Sequence, residues 1–440
     1  MGRNSDNGIN NQNSTSFTGG VRYPAPDVAR GFMLLLIALA NVALWVSFFP
    51  EVAQKTEVDK WIQLLSTQFI NGRAYPLFSM LFGFGLVVMA NRMMDKHVAA
   101  RTRALDEGGV VLDPQTRESW VAAFRTEGVL AARRLLTRRG WWMLLFGAVH
   151  SLFFVGDVIG NYAFIALIIS VLVVKKKWRV LYVIAGIILV LGFLGAIAQE
   201  MSVNMSAANA GNAAFVQRGI FLGPQYPLVS FGYWVMTTLL SPLLSAMLPS
   251  VIIGARIADT DLLTHPERYK GLLWATVFGG LGLGALLGTP GGMIAAFDVR
   301  ILGNIPLTAS LHLVGGIFGA LGWLALLTLL AGPARETIAG WRWVLSAVGR
   351  RSMTAYLSQT ALFIVIFLSM GLAGVPSVSN ALAAIIAATV WLVTVVMCVL
   401  MEKAGKKRGP FEVLLRNAVA RSAKPVNYPP VPVAYTQPTP

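Results

Sequence analysis

Apolar residues along this chain fall in long unbroken runs, and polar residues gather between them. Ten runs stand out, at 29–49, 74–90, 140–156, 158–174, 180–198, 228–253, 271–289, 306–330, 353–373 and 381–401. A bilayer core needs ~20 mostly apolar residues per crossing helix. The runs at 74–90, 140–156 and 158–174 are short for this. None alternates apolar with polar at a period of two, so the strands of a membrane β-barrel are excluded. The pattern predicts an all-α fold, a polytopic membrane helical bundle of about ten transmembrane helices. Glycines crowd the stretch Gly279–Met293, which suits close helix–helix approach. Pro290, Gly291 and Gly292 predict a turn ending that span. No phosphate-binding loop is implied there, because the lysine and the preceding strand are missing.

Charge orients the bundle. If the first run crosses outward, 31 of the 36 Lys and Arg lie before Gly31 or within 91–139, 175–179, 256–270, 331–351 and 402–440. Lys55, Lys60, Arg73, Arg218 and Arg300 are left outside. Cytoplasmic loops carry the excess of basic residues, so both termini are expected in the cytoplasm. The net charge of +16 reads as a topology signal and an attraction to anionic lipid at the cytoplasmic face, not as a nucleic-acid footprint. Only 13% of residues are charged, about half of what a soluble domain carries.

This divides the chain into a disordered N-terminal segment (1–26), a transmembrane bundle (27–421) and a disordered Pro-rich tail (422–440). The start lacks the pattern of a secretory signal. The cytoplasmic insertion 91–139 ends in a helical stretch from Arg117. There Trp120, Phe124, Leu130, Leu135 and Leu136 interleave with Arg125, Arg133, Arg134, Arg138 and Arg139. A helix lying on the inner leaflet fits this pattern, and a phosphate clamp is its functional alternative. The outer loop 199–227 is a connection or a lid over an external cavity. The single cysteine, Cys398, allows no intrachain disulfide.

Ionisable groups inside a bilayer are costly, so each marks a candidate site. His150, Asp157 and Tyr162 come first: seven residues is nearly two helical turns, so His150 and Asp157 can share a face. A His is a competent base near neutral pH, and a carboxylate orients it. Asp27 and Arg30, three apart, share a face at the inner start of the first span, with Asn41 further along. Arg73 stands at the outer mouth of the second span. Asp298 and Arg300 lie in an outer loop, with His312 inside the span that follows as a second base. Arg350 and Arg351 open the ninth span, where Thr354, Tyr356 and Gln359 carry a polar stripe inward. His97 and His265 are isolated, and no Cys/His spacing supports a metal site.

Several segments in order resemble the YeiB-like bacterial membrane proteins. These are DVARGFMLLLIALAN, LFSMLFGFGL, RRLLTRRGWWMLLFGAVHSLFFVGDVIGNY, AVGRRSMTAYLSQT and GPFEVLLRNAV. That family is grouped with the transmembrane acyltransferases, which include the lysosomal enzyme that acetylates heparan glucosamine. The resemblance implies a multi-pass protein of the bacterial cytoplasmic membrane. It would take an acyl group from acyl-CoA or acetyl-CoA inside and pass it to a small-molecule or lipid-linked acceptor outside. In the lysosomal branch the catalytic His lies in the first external loop; here that loop, 50–72, has none, so the role falls to His150. The expected roles are then catalysis by His150, Asp157 and Tyr162, and cofactor binding by Arg30, Arg133, Arg134, Arg350, Tyr356 and Gln359. Substrate contacts are expected from Asp27, Asn41, Arg73 and His312. A transporter of a small polar or lipidic molecule fits ten spans and buried polar groups equally well. A membrane scaffold is a third reading, and a homodimer stays open.

Overall fold

The apolar runs fold into helices, and among the described residues there are no strands. The computed structural model describes residues 23–207 and 223–432. Most of the N-terminal segment, the middle of the 199–227 loop and the last eight residues of the tail lie outside them. Fourteen α-helices are described. They are α1 (Ala25–Val46), α2 (Glu57–Phe69), α3 (Ala74–Glu107), α4 (Pro114–Ser151), α5 (Ile159–Val174), α6 (Trp178–Ala207) and α7 (Tyr226–Leu244). Then follow α8 (Met247–Ile257), α9 (Lys270–Phe297), α10 (Thr308–Ala331), α11 (Gly340–Gly349), α12 (Ser352–Leu372), α13 (Asn380–Lys403) and α14 (Pro410–Arg421).

Eight of the described helical stretches are long and apolar enough to cross a membrane. The helices are those of a multi-pass membrane protein. On α6 only 17% of the apolar window is buried, and Val183, Ile187, Val190 and Leu194 all point outward. Such a face is stable only against lipid or another apolar surface.

Three boundaries differ from the sequence pattern. The run at 228–253 is two helices. The backbone at Ser245 is extended, Pro242 withholds an amide in the last turn of α7, and the Ser245 hydroxyl accepts from Met247 N–H (3.2 Å) to start α8. α8 then packs on α3, where a side chain at Gly254 or Gly83 would collide with the carbonyls of Met80 and Val251. Second, the predicted turn at Pro290 is absent: α9 runs through it to Phe297. Glycines at 280, 284, 288 and 292 let α9 close tightly on α10 and α2, and that packing outweighs one missing amide. Third, the stretch from Arg117 is not a separate surface helix. It is part of α4, which is continuous over 38 residues. At 1.5 Å per residue α4 is ~57 Å long, longer than a bilayer core. It projects with α3 as an antiparallel hairpin, with Arg101 over the buried Phe124 ring at 4.9 Å and Glu127 paired to Arg101 (2.9 Å) and His97 (3.0 Å).

The far end of the chain ties the basic side of the bundle together. Glu412 on α14 accepts from Met353 N–H (2.8 Å), Thr354 N–H (3.0 Å) and the Thr354 hydroxyl, so a distant carboxylate caps α12. A side chain at Gly409 would strike Thr354, which accounts for the glycine before Pro410. Arg351, fully buried, donates to Glu402 (2.6 Å), Ala347 carbonyl (2.8 Å) and the Lys406 carbonyl. Beyond α14 the described tail is extended, and Tyr428 rests against His97 (ring centroids 4.6 Å apart) on α3.

Candidate functional site

α4 ends at Ser151, and His150 is on its last turn. The His150 carbonyl accepts from Phe153 and Phe154 N–H, both at 3.0 Å, so the chain turns sharply there. Asp157 follows in the turn, just before α5. Its Oδ2 accepts from Gly160 N–H (2.9 Å) in the first turn of α5 and from Trp234 Nε1 (2.9 Å) on α7. A carboxylate at a helix N-terminus is favoured by the unpaired amides and the dipole. A side chain at Gly147 or Gly160 would break this arrangement, since Gly147 abuts Gly160 and Gly160 abuts the Trp234 indole.

The other carboxylate oxygen, Oδ1, lies 2.7 Å from His150 Nδ1. An ionised carboxylate only accepts, so Nδ1 carries the hydrogen. In the neutral ring Nε2 then holds the lone pair, and it faces the Thr360 hydroxyl on α12 at 3.0 Å. His150, Asp157 and Thr360 are 6%, 3% and 5% exposed. The result is a buried hydroxyl–imidazole–carboxylate chain assembled from α4, the turn before α5, and α12. A buried charge survives only when hydrogen-bonded, and this carboxylate has three donors.

Tyr356 lies one turn before Thr360, its ring 5.3 Å from the imidazole. Its hydroxyl is buried and makes no hydrogen bond of normal geometry among the described residues, with Asn41 and the Val158 backbone beside it. Gln359 donates from Nε2 to Leu34 carbonyl (3.3 Å), while its Oε1 has no hydrogen-bond partner among the described residues.

An open cavity of about 650 Å³ lies at the end of the bundle opposite the basic one. Its walls include Phe48, Glu51, Gly156, Tyr226, Ser230 and Tyr233. Phe154 packs near both the cavity wall and the imidazole. That ring is 5.9 Å from the His150 ring, stacks on Trp45 at 5.3 Å, and abuts Gly156 in the cavity wall.

The remaining expected residues divide into separate places. Tyr162 does not join His150 and Asp157. Its hydroxyl donates to Tyr75 carbonyl (3.0 Å), 3.3 Å from the Ser79 hydroxyl, and its ring packs on Phe78 and Phe82 of α3. Asp27 and Arg30 do pair, at 3.4 Å, and Arg30 also reaches Leu81 carbonyl. Arg73 and His312 are together, but inside the bundle rather than at a mouth. Arg73 is fully buried at the α2–α3 break and donates to Asn71 carbonyl (2.7 Å) and Gly284 carbonyl (2.6 Å). His312 Nδ1 is 2.9 Å from it. Gly284, Gly288, Gly315 and Gly319 surround that guanidinium, leaving no space for a ligand. The expected cofactor residues do not converge. Arg133 and Arg134 are exposed on α4, and Arg350 is held by Glu402 (2.8 Å). Tyr356 and Gln359 belong with His150 instead.

Sequence reasoning missed Thr360 and Trp234. Thr360 had a signal, since it sits four residues after Tyr356 and therefore on the same helix face. Trp234 had none.

Fold and site together define a multi-pass helical membrane protein with a buried, hydrogen-bonded His–Asp pair. Residues 257–422 match a family model described as "Protein of unknown function (DUF418)". The match supports the YeiB-like resemblance over the C-terminal part of the chain. It spans α9 to α14, and so includes Thr360 and the Glu412 clasp but not His150. No curated protein and no solved structure matches the chain.

Proposed function

We propose that this protein is an integral membrane acyltransferase. It passes an acyl group from acyl-CoA at the cytoplasmic face to a hydroxyl or amine acceptor on the other side of the membrane. One observation carries the reading: His150 is oriented through Nδ1 by Asp157, which leaves Nε2 as a base inside the bundle. A carboxylate so placed holds the productive tautomer and stabilises the imidazolium that forms as a proton is taken. The cavity at the opposite end from the basic clusters suits an acceptor, with the Phe154 ring near both its wall and the imidazole. The exposed Arg133 and Arg134 are freer to meet the phosphates of the donor than Arg350, which is engaged with Glu402.

The test uses the full chain in proteoliposomes. CoA release from acetyl-CoA is followed with hydroxylamine as a general acceptor. Release that depends on protein and on His150 supports the reading; no release above empty vesicles rejects it.

A transporter is the second reading. The breaks at Asn71–Arg73 and at Ser245 favour it, because transporters bind substrates at discontinuous helices. Substrate movement across proteoliposomes without CoA would establish it.

A further inference from the structure

We infer that Thr360 is the residue that carries the acyl group, so that transfer proceeds in two steps through a threonyl ester. This rests on the acyl-transfer reading above. Helical threonines usually return their hydroxyl to the carbonyl one turn back. Thr67, Thr276, Thr289 and Thr328 do so, at 2.8, 2.8, 3.0 and 2.7 Å. Thr360 makes no such bond among the described residues; its partner is His150 Nε2, at 3.0 Å. A hydroxyl against an imidazole that is itself held by a carboxylate is the arrangement that activates a weak oxygen nucleophile. The contact is made between α4 and α12, helices far apart in sequence, and all three groups are buried.

A second observation supplies the other requirement of acyl transfer. The tetrahedral intermediate carries a negative oxygen, which needs donors already in place. The Tyr356 hydroxyl is buried beside the imidazole, has no hydrogen bond of normal geometry, and has Asn41 next to it. An oxyanion formed on an acyl carbon at Thr360 Oγ1 would give the Tyr356 hydroxyl an acceptor one helical turn from its own backbone.

The steps balance. The Thr360 oxygen attacks the thioester carbonyl carbon while its proton passes to His150 Nε2. The tetrahedral adduct collapses, the carbon–sulfur bond breaks, and the departing thiolate takes that proton to leave as free CoA thiol. The acyl group is now an ester on Thr360. An acceptor hydroxyl or amine entering from the cavity then gives its proton to Nε2 and attacks the ester carbon. The Thr360 oxygen leaves and recovers the proton, which restores the starting state.

The experiment uses the full chain in proteoliposomes with acetyl-CoA, first without acceptor and then with hydroxylamine. Peptides from acid-quenched samples are examined by mass spectrometry. Without acceptor, the wild-type peptide containing Thr360 gains one acetyl group, which hydroxylamine removes. Thr360→Val and His150→Ala give no label, and Thr360→Val lowers CoA release ~100-fold or more, within the range set by loss of a nucleophile or base. Thr360→Ser, which keeps the hydroxyl, restores label and release, and this separates chemistry from packing. Release in Thr360→Val at the wild-type rate, still abolished by His150→Ala, would overturn the threonyl ester and leave acyl transfer by direct attack. Label on His150 with Thr360 unmodified would overturn it likewise. No His150-dependent release in any variant would overturn the acyl-transfer reading itself, and the ester with it.

Discussion

His150 and His312 both sit on helices of the bundle, and each touches one charged side chain at close range. His150 Nδ1 is 2.7 Å from the Asp157 carboxylate, whereas His312 Nδ1 is 2.9 Å from the Arg73 guanidinium. The sign of the neighbour decides what each ring can do. Beside a carboxylate, the imidazole gives its Nδ1–H to Asp157 and presents Nε2 to the Thr360 hydroxyl. Beside a permanent cation, the lone pair is directed at the guanidinium. The surroundings differ in the same sense. The first ring has a hydroxyl at Nε2 and the Tyr356 phenol 5.3 Å away, ring to ring. The second is pressed among glycines whose missing side chains are the space that Arg73 fills. The first region holds the groups that the proposed proton transfer needs. The second holds α2, α3, α9 and α10 together around one buried cation.

The largest effects should separate these regions. His150→Ala is expected to lower acetyl-CoA-dependent release per folded molecule by ~10³-fold, an effect far larger than the fall in the detergent melt that follows when the buried Asp157 carboxylate keeps two of its three donors. Arg73→Met should do the reverse. It removes the guanidinium donor from the carbonyls of Asn71 and Gly284, costs about 1–3 kcal/mol, and lowers the melt, while release per folded molecule persists. If Arg73→Met lost release without loss of stability, the structural role given to it would fail. Next in size, Asp157→Asn should reduce release ~10²-fold, because an amide no longer selects the Nδ1–H tautomer of His150. Equal rates for Asp157→Asn and wild type would dissociate the carboxylate from the site.

Smaller effects test the supports. An alanine at Gly284 puts a methyl carbon 2.8 Å from Gly319 Cα on α10. It should destabilise by about 1–3 kcal/mol through overpacking, visible as a lower melting temperature with release unchanged per folded molecule. At the clasp, Glu412→Gln keeps the shape but loses the charge that caps α12. About 1 kcal/mol is expected from a lost cap, again read from the melt. A neutral result there would show that the Gly409–Pro410–Phe411–Glu412 segment serves something other than capping.

The all-helical class and most of the crossing helices were legible as apolar runs, because burial in lipid and burial in protein select the same residues. The places where they were not legible have a common cause. At Ser245 the helix breaks inside an apolar stretch, and hydropathy records composition, not backbone direction. At Pro290 a local breaker is overruled by glycine-mediated packing that involves residues far away in sequence. The His150–Asp157 pair was legible because its spacing is local. Tyr162 was misplaced for the same reason: nearness in sequence suggested a trio, but the first turns of α5 point that ring at α3. Thr360 belongs to the site through a contact spanning 210 residues. Without the fold, only its shared face with Tyr356 pointed to it. Arg350 was expected to hold a phosphate because Glu402, the carboxylate 52 residues onward that pairs with it, gives no local sign of doing so.

The central claim is that the carboxylate-held imidazole does chemistry and the cation-held one does not. The most direct test compares CoA release from acetyl-CoA by proteoliposomes of the wild type, His150→Ala and His312→Ala, with hydroxylamine as acceptor and each rate divided by the amount of folded protein. The account predicts release by the wild type and by His312→Ala, and none above empty vesicles by His150→Ala. Release retained by His150→Ala, or lost with His312→Ala alone, would contradict it.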